Sequence, residues 1–277
     1  MPELPEVETV ARGLHTLLVG RTITGVDVRW ARSVVPPDPA VFARRLAGQT
    51  VASVGRRAKW VVIKLDGGDT LLVHLRMSGR LVIGMGESAD DRHLRVAFAL
   101  DDGAWLRFFD QRKFGRLVLV SDPQEVLGDL GPEPLEDGFT AIRLGEMLAR
   151  RRGRIKPLLL NQRFLAGLGN IYTDEALWQA GVHPLRQADT LTLAEVRRLH
   201  RGIRAVLQAA IESGGTTLPD VGYQQADGRW GEFAVQLEVY GRAGQLCSRC
   251  GGDVERIRVS QRGTHFCPCC QVLPGGG

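Results

Sequence analysis

The chain has 277 residues, enough for a full core and about two domains, and 44% of them are hydrophobic, as in a water-soluble globular protein. No apolar run approaches the roughly 18 residues that a membrane span needs, and the acidic N-terminus does not fit a secretory signal, so a cytoplasmic protein with no membrane partner is expected. The net charge of +5 is uneven: residues 1–139 carry 18 Lys and Arg against 19 Asp and Glu, whereas residues 140–277 carry 18 against 12. A basic second half suits a polyanionic partner, although it also serves general solubility.

The chain opens Met1-Pro2-Glu3-Leu4-Pro5-Glu6. On one reading the prolines simply start a helix, since Pro suits the first helical position. On the other, removal of Met1 leaves Pro2 as a secondary amine beside the carboxylates of Glu3 and Glu6. Such an amine can attack an electrophilic sugar or carbonyl carbon while a carboxylic acid moves the protons. From Pro5 to about Leu18 the apolar residues Val7, Val10, Ala11, Leu14, Leu17 and Leu18 follow helical spacing, so this N-terminus is expected to dock on a core rather than fray.

Short strands are expected at 22–30, 50–56, 59–65, 70–77, 80–84, 93–100, 104–109 and 114–120, with turns at Asp66-Gly67-Gly68 and Asp101-Asp102-Gly103 and one helix at about 39–47. Strands this short and closely spaced favour an antiparallel sandwich. Lys59 is expected to open one strand, and His74, Arg76 and Met77 to end another before the turn Ser78-Gly79. Asp110-Gln111-Arg112-Lys113-Phe114-Gly115 reads as a basic loop carrying one aromatic. Taken singly, Met77 and Phe114 read as core packing and Arg112 as a solvated charge. The chain uses Lys at only four positions, 59, 64, 113 and 156, in a sequence that otherwise uses Arg.

Gly131-Pro132-Glu133-Pro134 reads as a linker, after which helices are expected at about 140–151, 156–162, 170–179 and 192–212. Gly167 and Gly169 before a helix expose backbone N–H groups that suit a phosphate, and Asn170 could cap that helix and bond the same anion. Residues 214–236 are rich in turn formers, and a connection that long is usually functional or mobile.

Cys247-x2-Cys250, sixteen residues, then Cys267-x2-Cys270 is the spacing of a four-cysteine zinc ribbon. Four sulfurs leave no open position, so one structural Zn2+ is expected. Spacing alone leaves open whether Cys269 replaces Cys270. Arg256, Arg258 and Arg262 would make the intervening hairpin basic.

In their joint order these stretches resemble the bacterial formamidopyrimidine-DNA glycosylases across essentially the whole chain. The carriers are Pro2-Glu3-Leu4-Pro5-Glu6-Val7-Glu8-Thr9, Lys59, His74-Leu75-Arg76-Met77-Ser78-Gly79, Gln111-Arg112-Lys113-Phe114-Gly115, Gly169-Asn170-Ile171-Tyr172, Val239-Tyr240-Gly241-Arg242 and the four cysteines. The resemblance implies an α+β multidomain fold. An N-terminal helix with an antiparallel β-sandwich (1–131) would precede a helix-two-turns-helix domain containing the 214–236 loop (132–236) and a zinc-ribbon β-hairpin (237–277). It implies an enzyme that excises 8-oxoguanine and formamidopyrimidines from damaged double-stranded DNA, in a cleft between the domains, and cuts the strand by β,δ-elimination; nothing in the sequence suggests more than a monomer. Pro2 is the implied nucleophile and Glu3 the proton carrier. Lys59 is the implied proton donor or phosphate clamp at β-elimination. Arg262 is its counterpart at δ-elimination, better read as a phosphate ligand because Arg stays charged.

By the same resemblance Met77, Arg112 and Phe114 fill the gap left by the extruded nucleotide, while His74, His93, Arg152, Lys156, Asn170 and Tyr240 hold the DNA backbone. Pro219 departs from relatives that often carry a basic residue there, which loosens the expected lesion preference. An endonuclease VIII-type glycosylase for oxidised pyrimidines resembles the chain less, because Leu4 stands where that group typically has Gly. A non-catalytic zinc-ribbon DNA-binding protein would explain the basic half but not Pro2, Glu3 and Lys59 together.

Overall fold

A computed structural model describes residues 1–86, 92–217 and 231–274. The chain divides into two compact units, residues 1–129 with 211–234, and residues 130–210 with 235–277. The four-cysteine hairpin therefore shares a unit with the helices.

In the first unit, α1 (Leu4–Leu18) starts from Glu3 as N-cap with Pro5 in its first turn, as the sequence suggested. Leu4, Val7, Val10, Leu14 and Leu18 are all buried. At roughly 1.5–3 kcal/mol for each fully buried aliphatic side chain, that stripe outweighs the tendency of a chain end to fray. The following elements are β1 (Ile23–Val28), α2 (Pro39–Leu46), β2 (Val51–Arg57), β3 (Trp60–Leu65), β4 (Thr70–His74), β5 (Gly79–Met85), β6 (Leu94–Leu100), β7 (Ala104–Asp110) and β8 (Arg116–Val120). Asp38 caps α2 by accepting from the Ala40 and Val41 N–H groups. A short α3 (Gln124–Leu127), too brief for periodicity to reveal, follows Asp122, whose carboxylate accepts from the Gln124 N–H.

Two antiparallel four-stranded sheets form, ordered β1-β6-β7-β5 and β2-β3-β4-β8. Their facing side chains, among them Val61, Ile63, Val73, Leu81, Val96, Phe98, Phe108 and Leu117, make one core, which Val7, Val10 and Leu14 of α1 join. The expected sandwich is present, and α1 packs on β2 and β3.

Two strand boundaries differ from the sequence reading in places that matter. Lys59 does not open β3 but lies with Ala58 in the two-residue turn between β2 and β3, where Ala58 takes φ +53°. The strand expected over 70–77 stops at His74, because Arg76 adopts φ +54° and the Gly79 N–H turns back to the Leu75 carbonyl at 2.9 Å. That turn admits only glycine at position 79, where a Cβ would stand 2.4 Å from the Leu75 oxygen. Met77 is thereby placed in a turn and not at a strand end.

The second unit holds α4 (Ala141–Ala149), α5 (Ile155–Leu160), α6 (Asn170–Ala180) and most of α7 (Leu193–Glu212), then the hairpin β9 (Glu255–Val259) and β10 (Arg262–Phe266). Ser260 and Gln261 join the two strands with φ of +45° and +62°, the paired left-handed residues that match strand twist in a two-residue hairpin. Among the described residues no helix is long and apolar enough to cross a membrane.

Candidate active site and nucleic-acid surfaces

Pro2 and Glu3 are buried at the head of α1, Glu3 with 3% of its surface exposed. The two nearby carboxylates divide their work. Glu6 accepts the Glu3 N–H on Oε2 at 2.7 Å and the Thr216 N–H on Oε1 at 2.8 Å. It ties the N-terminal stretch to the root of the 214–236 segment and holds Glu3 in register. Residues 218–230, Pro219 included, lie outside the described residues, so the expected lesion contacts there have no structural counterpart to compare. A second clamp runs from Glu8 to Arg56 at 2.8 Å, and Arg56 also donates to the Ala58 carbonyl at 3.1 Å. That clamp fixes the turn carrying Lys59, itself nearly buried, against the first turns of α1.

His74 ends β4 beside this turn. Its Nδ1 accepts the Arg76 N–H at 3.0 Å and its ring meets Trp60 edge-on at 4.9 Å. Burial first, then the positive charges of Arg76 and Lys59, push the imidazole down to about 3. The side chain is therefore neutral at pH 7, and with Nδ1 accepting it carries its proton on Nε2, where it can donate to an anion. Stability should respond in a defined window. Below pH 6.5 the unfolded chain takes up a proton that folded His74 refuses, so stability falls with acidification until about pH 3. Between pH 6.5 and 5 this one group should cost about 1.6 kcal/mol, at roughly 1.4 kcal/mol per pKa unit and with half of the unfolded imidazole already charged at pH 6.5. Urea unfolding at both pH values should show that loss in the wild type and a clearly smaller one in His74→Gln; equal losses would refute the assignment.

Arg112 and Phe114 lie in the turn between β7 and β8 and are solvent-exposed, Phe114 by 49%, with the guanidinium 5.2 Å from the Phe114 ring centre. The core-packing reading of Phe114 fails here. An exposed aromatic at a loop tip, flanked by an arginine, has the form of a wedge for a base step. Met77 is half-buried in the neighbouring β4–β5 turn, and half-buried His93 directly precedes β6.

In the second unit the stretch expected to seat a phosphate is capped differently from the sequence reading. Gly169, not Asn170, is the N-cap of α6, and Asn170 is its first residue. The Asn170 Nδ2 donates to the Gly263 carbonyl at 2.9 Å, while its Oδ1 is buried without a hydrogen-bond partner. The Gly167 loop is shaped by Gln162, which accepts the Gly167 N–H and donates to the Leu168 carbonyl.

Lys156 requires a correction. Expected to contact the DNA backbone, it is wholly buried, with Nζ 2.5 Å from Asp174 Oδ1 and 3.2 Å from the Gly263 carbonyl. A buried ammonium needs such a partner, and its charge is spent inside the protein. The other Asp174 oxygen accepts the His265 N–H at 2.9 Å. Lys156, Asn170 and Asp174 together fasten the start of β10, leaving Arg262 exposed at its first position, and Arg256 and Arg258 exposed on β9.

Glu175 acts similarly, accepting N–H groups of Glu238, Val239 and Tyr240 at 2.7–3.0 Å. Burial pushes its carboxyl up even against those three donors. Tyr240, half-buried, packs its ring on His265 at 5.0 Å. Arg152 is exposed in the loop before α5. Asp174 and Glu175 escaped the sequence reading because acidic residues on a helix usually face water. Their only local signal is position one turn behind a glycine-rich N-terminus.

Sγ atoms of Cys247, Cys250, Cys267 and Cys270 all lie within 4.8 Å of one another, with Cys247–Cys270 at 3.9 Å and Cys250–Cys267 at 3.4 Å. Tetrahedral zinc with bonds of about 2.3 Å separates its sulfurs by about 3.8 Å, so the four residues fit one structural zinc ion. Cys269 is exposed and outside this group, which resolves the choice the spacing left open. Trp178 of α6 donates to the Cys247 sulfur at 3.4 Å and packs with Val239, Val254 and Cys267.

Three family models match in series: the formamidopyrimidine-DNA glycosylase N-terminal domain over residues 1–117, the H2TH domain of the same glycosylases over 130–221, and a zinc finger found in FPG and IleRS over 244–272. The formamidopyrimidine-DNA glycosylase of Chloroflexus aggregans is 50% identical over 276 residues, covering 99% of each chain. Among solved structures, a Lactococcus lactis FPG mutant bound to DNA containing Fapy-dG superposes with a TM-score of 0.92 at 36% identity, over 98% of this chain and 100% of that one. The L. lactis enzyme bound to abasic-site DNA gives 0.91 at 36% identity, with the same coverage.

Proposed function

The chain belongs to the formamidopyrimidine-DNA glycosylase family, and from that premise we propose that Pro2, freed by removal of Met1, is the nucleophile with which this DNA repair enzyme opens the damaged nucleotide. The enzyme is a DNA glycosylase that removes oxidised purines from duplex DNA in base excision repair.

In the proposed sequence the Pro2 nitrogen attacks C1′ of the extruded nucleotide and loses its proton as the C1′–base bond breaks; protonation of the ring oxygen O4′ then breaks the C1′–O4′ bond and leaves a covalent iminium. Glu3 passes a proton to the departing base system and later takes one from the sugar. Loss of the C2′ proton then expels the 3′ phosphate, and a second elimination expels the 5′ phosphate. Lys59 neutralises the first leaving phosphate and Arg262 the second. A free α-amine has a pKa of roughly 8, so an appreciable fraction is neutral and nucleophilic near pH 7.

Met77, Arg112 and Phe114 fill the space vacated in the stack, with Arg112 facing the orphaned cytosine. His74, His93, Arg152, Asn170 and Tyr240 hold phosphates, and Lys156 contributes by fixing the Gly263 turn. Residues 1–131, 132–236 and 237–277 serve as the catalytic, helical and zinc-finger modules of a cytoplasmic monomer. Four thiols gathered for a metal suit a reducing compartment.

The observation that carries this reading is the buried, doubly fastened head of α1, which holds Pro2 and Glu3 still where a chain end would ordinarily fray. Borohydride added during reaction with an 8-oxoguanine duplex should trap a protein–DNA adduct, and peptide mapping should place it on Pro2. Binding without any adduct, in a sample whose intact mass shows that Met1 is gone, would sink the mechanism.

A further inference from the structure

We propose that Asp110 is the positioning residue that presents Met77, Arg112 and Phe114 as one preassembled plug; this rests on the glycosylase reading above. Asp110 closes β7 with no exposed surface. Its Oδ1 accepts the Ser78 hydroxyl at 2.5 Å and the Arg112 N–H at 3.2 Å, and its Oδ2 accepts the Gly115 N–H at 2.7 Å. Ser78 Oγ in turn accepts the Arg112 N–H at 3.0 Å. One buried carboxylate thus joins the turn that carries Met77 to the turn that carries Arg112 and Phe114, although 32 residues separate Ser78 from Asp110.

Asp110 is itself fixed. Its N–H donates to the His93 carbonyl at 2.9 Å, and its carbonyl accepts Arg95 Nε at 2.8 Å. A buried charge is tolerable here because several donors converge on it.

The backbone of both turns needs such a fastener. Arg76 and Lys113 hold φ of +54° and +60°, a region that non-glycine residues occupy only when their surroundings over-determine it. Gly115 has no room for a side chain, since a Cβ would stand 2.3 Å from a Phe108 ring atom and 3.1 Å from Asp110 Oδ2. On the outer side, the Lys113 ammonium sits 4.0 Å over the Trp30 ring. An arginine that must find the edge of one base needs its backbone fixed beforehand, because base discrimination depends on where the donors are placed. Without Asp110, the three side chains would each be ordered only on insertion, and binding would bear that cost.

The test compares Ser78→Ala and Asp110→Asn with the unaltered enzyme in two ratios. One is single-turnover excision of 8-oxoguanine opposite cytosine against that opposite adenine. The other is duplex excision against borohydride trapping on an abasic single strand, which has no stack to fill. Displaced groups near a reacting centre can cost up to roughly a hundredfold, so both ratios should fall by about fivefold to tenfold or more. A general loss of folding would lower all the activities together and leave the ratios alone. Ratios within about twofold of the unaltered enzyme in variants that melt cooperatively would overturn the proposal. Should Asp110→Asn fail to fold, Ser78→Ala decides, since it removes one donor and leaves the carboxylate with backbone partners. Absence of trapping by the unaltered enzyme, once intact mass shows Met1 removed, would overturn the Pro2 mechanism and this proposal with it, an outcome distinct from unchanged ratios.

Discussion

Pro2→Gly should abolish most turnover while leaving duplex affinity nearly untouched. The secondary amine of proline gives an iminium that carries its charge permanently. A glycine amine gives an imine that must be protonated to act as an electron sink. A fall of at least roughly a hundredfold is expected, equivalent to about 2.7 kcal/mol of barrier. Affinity should stay within about twofold, since the phosphate-holding groups are elsewhere. Rates from single-turnover cleavage, read against affinities from a binding titration, check both halves. Parallel losses in both would mean that Pro2 serves the fold and not the reaction. The prediction carries a condition: while Met1 remains, the Pro2 nitrogen is an amide and no adduct can form. Intact-mass measurement before the assay therefore decides whether an inactive sample speaks to Pro2 at all.

Cys247→Ser should release zinc and weaken DNA binding together. The apolar cluster at the metal end of the β9–β10 hairpin, Val239, Val254 and the cysteines against Trp178, is small. A structural zinc contributes on the order of 10–16 kcal/mol of folding free energy in small fingers, which that cluster cannot replace. With the hairpin loosened, Arg256, Arg258 and Arg262 lose their common placement. Duplex affinity should fall roughly tenfold or more, about 1.4 kcal/mol or beyond. Metal analysis and binding isotherms on the same preparation test the coupling. Cys269→Ser is the matched control, because Cys269 lies outside the sulfur cluster and its loss should leave zinc in place. Retention of zinc by Cys247→Ser would refute the ligand assignment.

Much of the architecture is legible in the sequence because its signals are local. Leu4 through Leu18 announce α1 by helical spacing, and Cys247-x2-Cys250 with Cys267-x2-Cys270 announces the ribbon. The errors cluster at turns that bear side chains proposed for the reaction site and the DNA contact. Ala58 and Arg76 take left-handed backbone that no pattern of apolar residues reports, so Lys59 falls in the β2–β3 turn, β4 stops short and Met77 falls in the turn after it. These are the places where local preference yields to a functional geometry.

The sequence by itself determined the order of elements, the metal ligands save for one choice, and the family. Periodicity and spacing act within a few residues, and these features depend on little else. Only the tertiary structure decided which charges are spent inside the protein. Lys156 reaches a carbonyl 107 residues away and is no longer available to a phosphate. Asp110 becomes the anchor of two turns through Ser78. Glu6 joins the N-terminus to Thr216 across 210 residues. Whether a charged side chain meets water or a buried partner depends on what the fold brings to it, and that partner can lie anywhere along the chain.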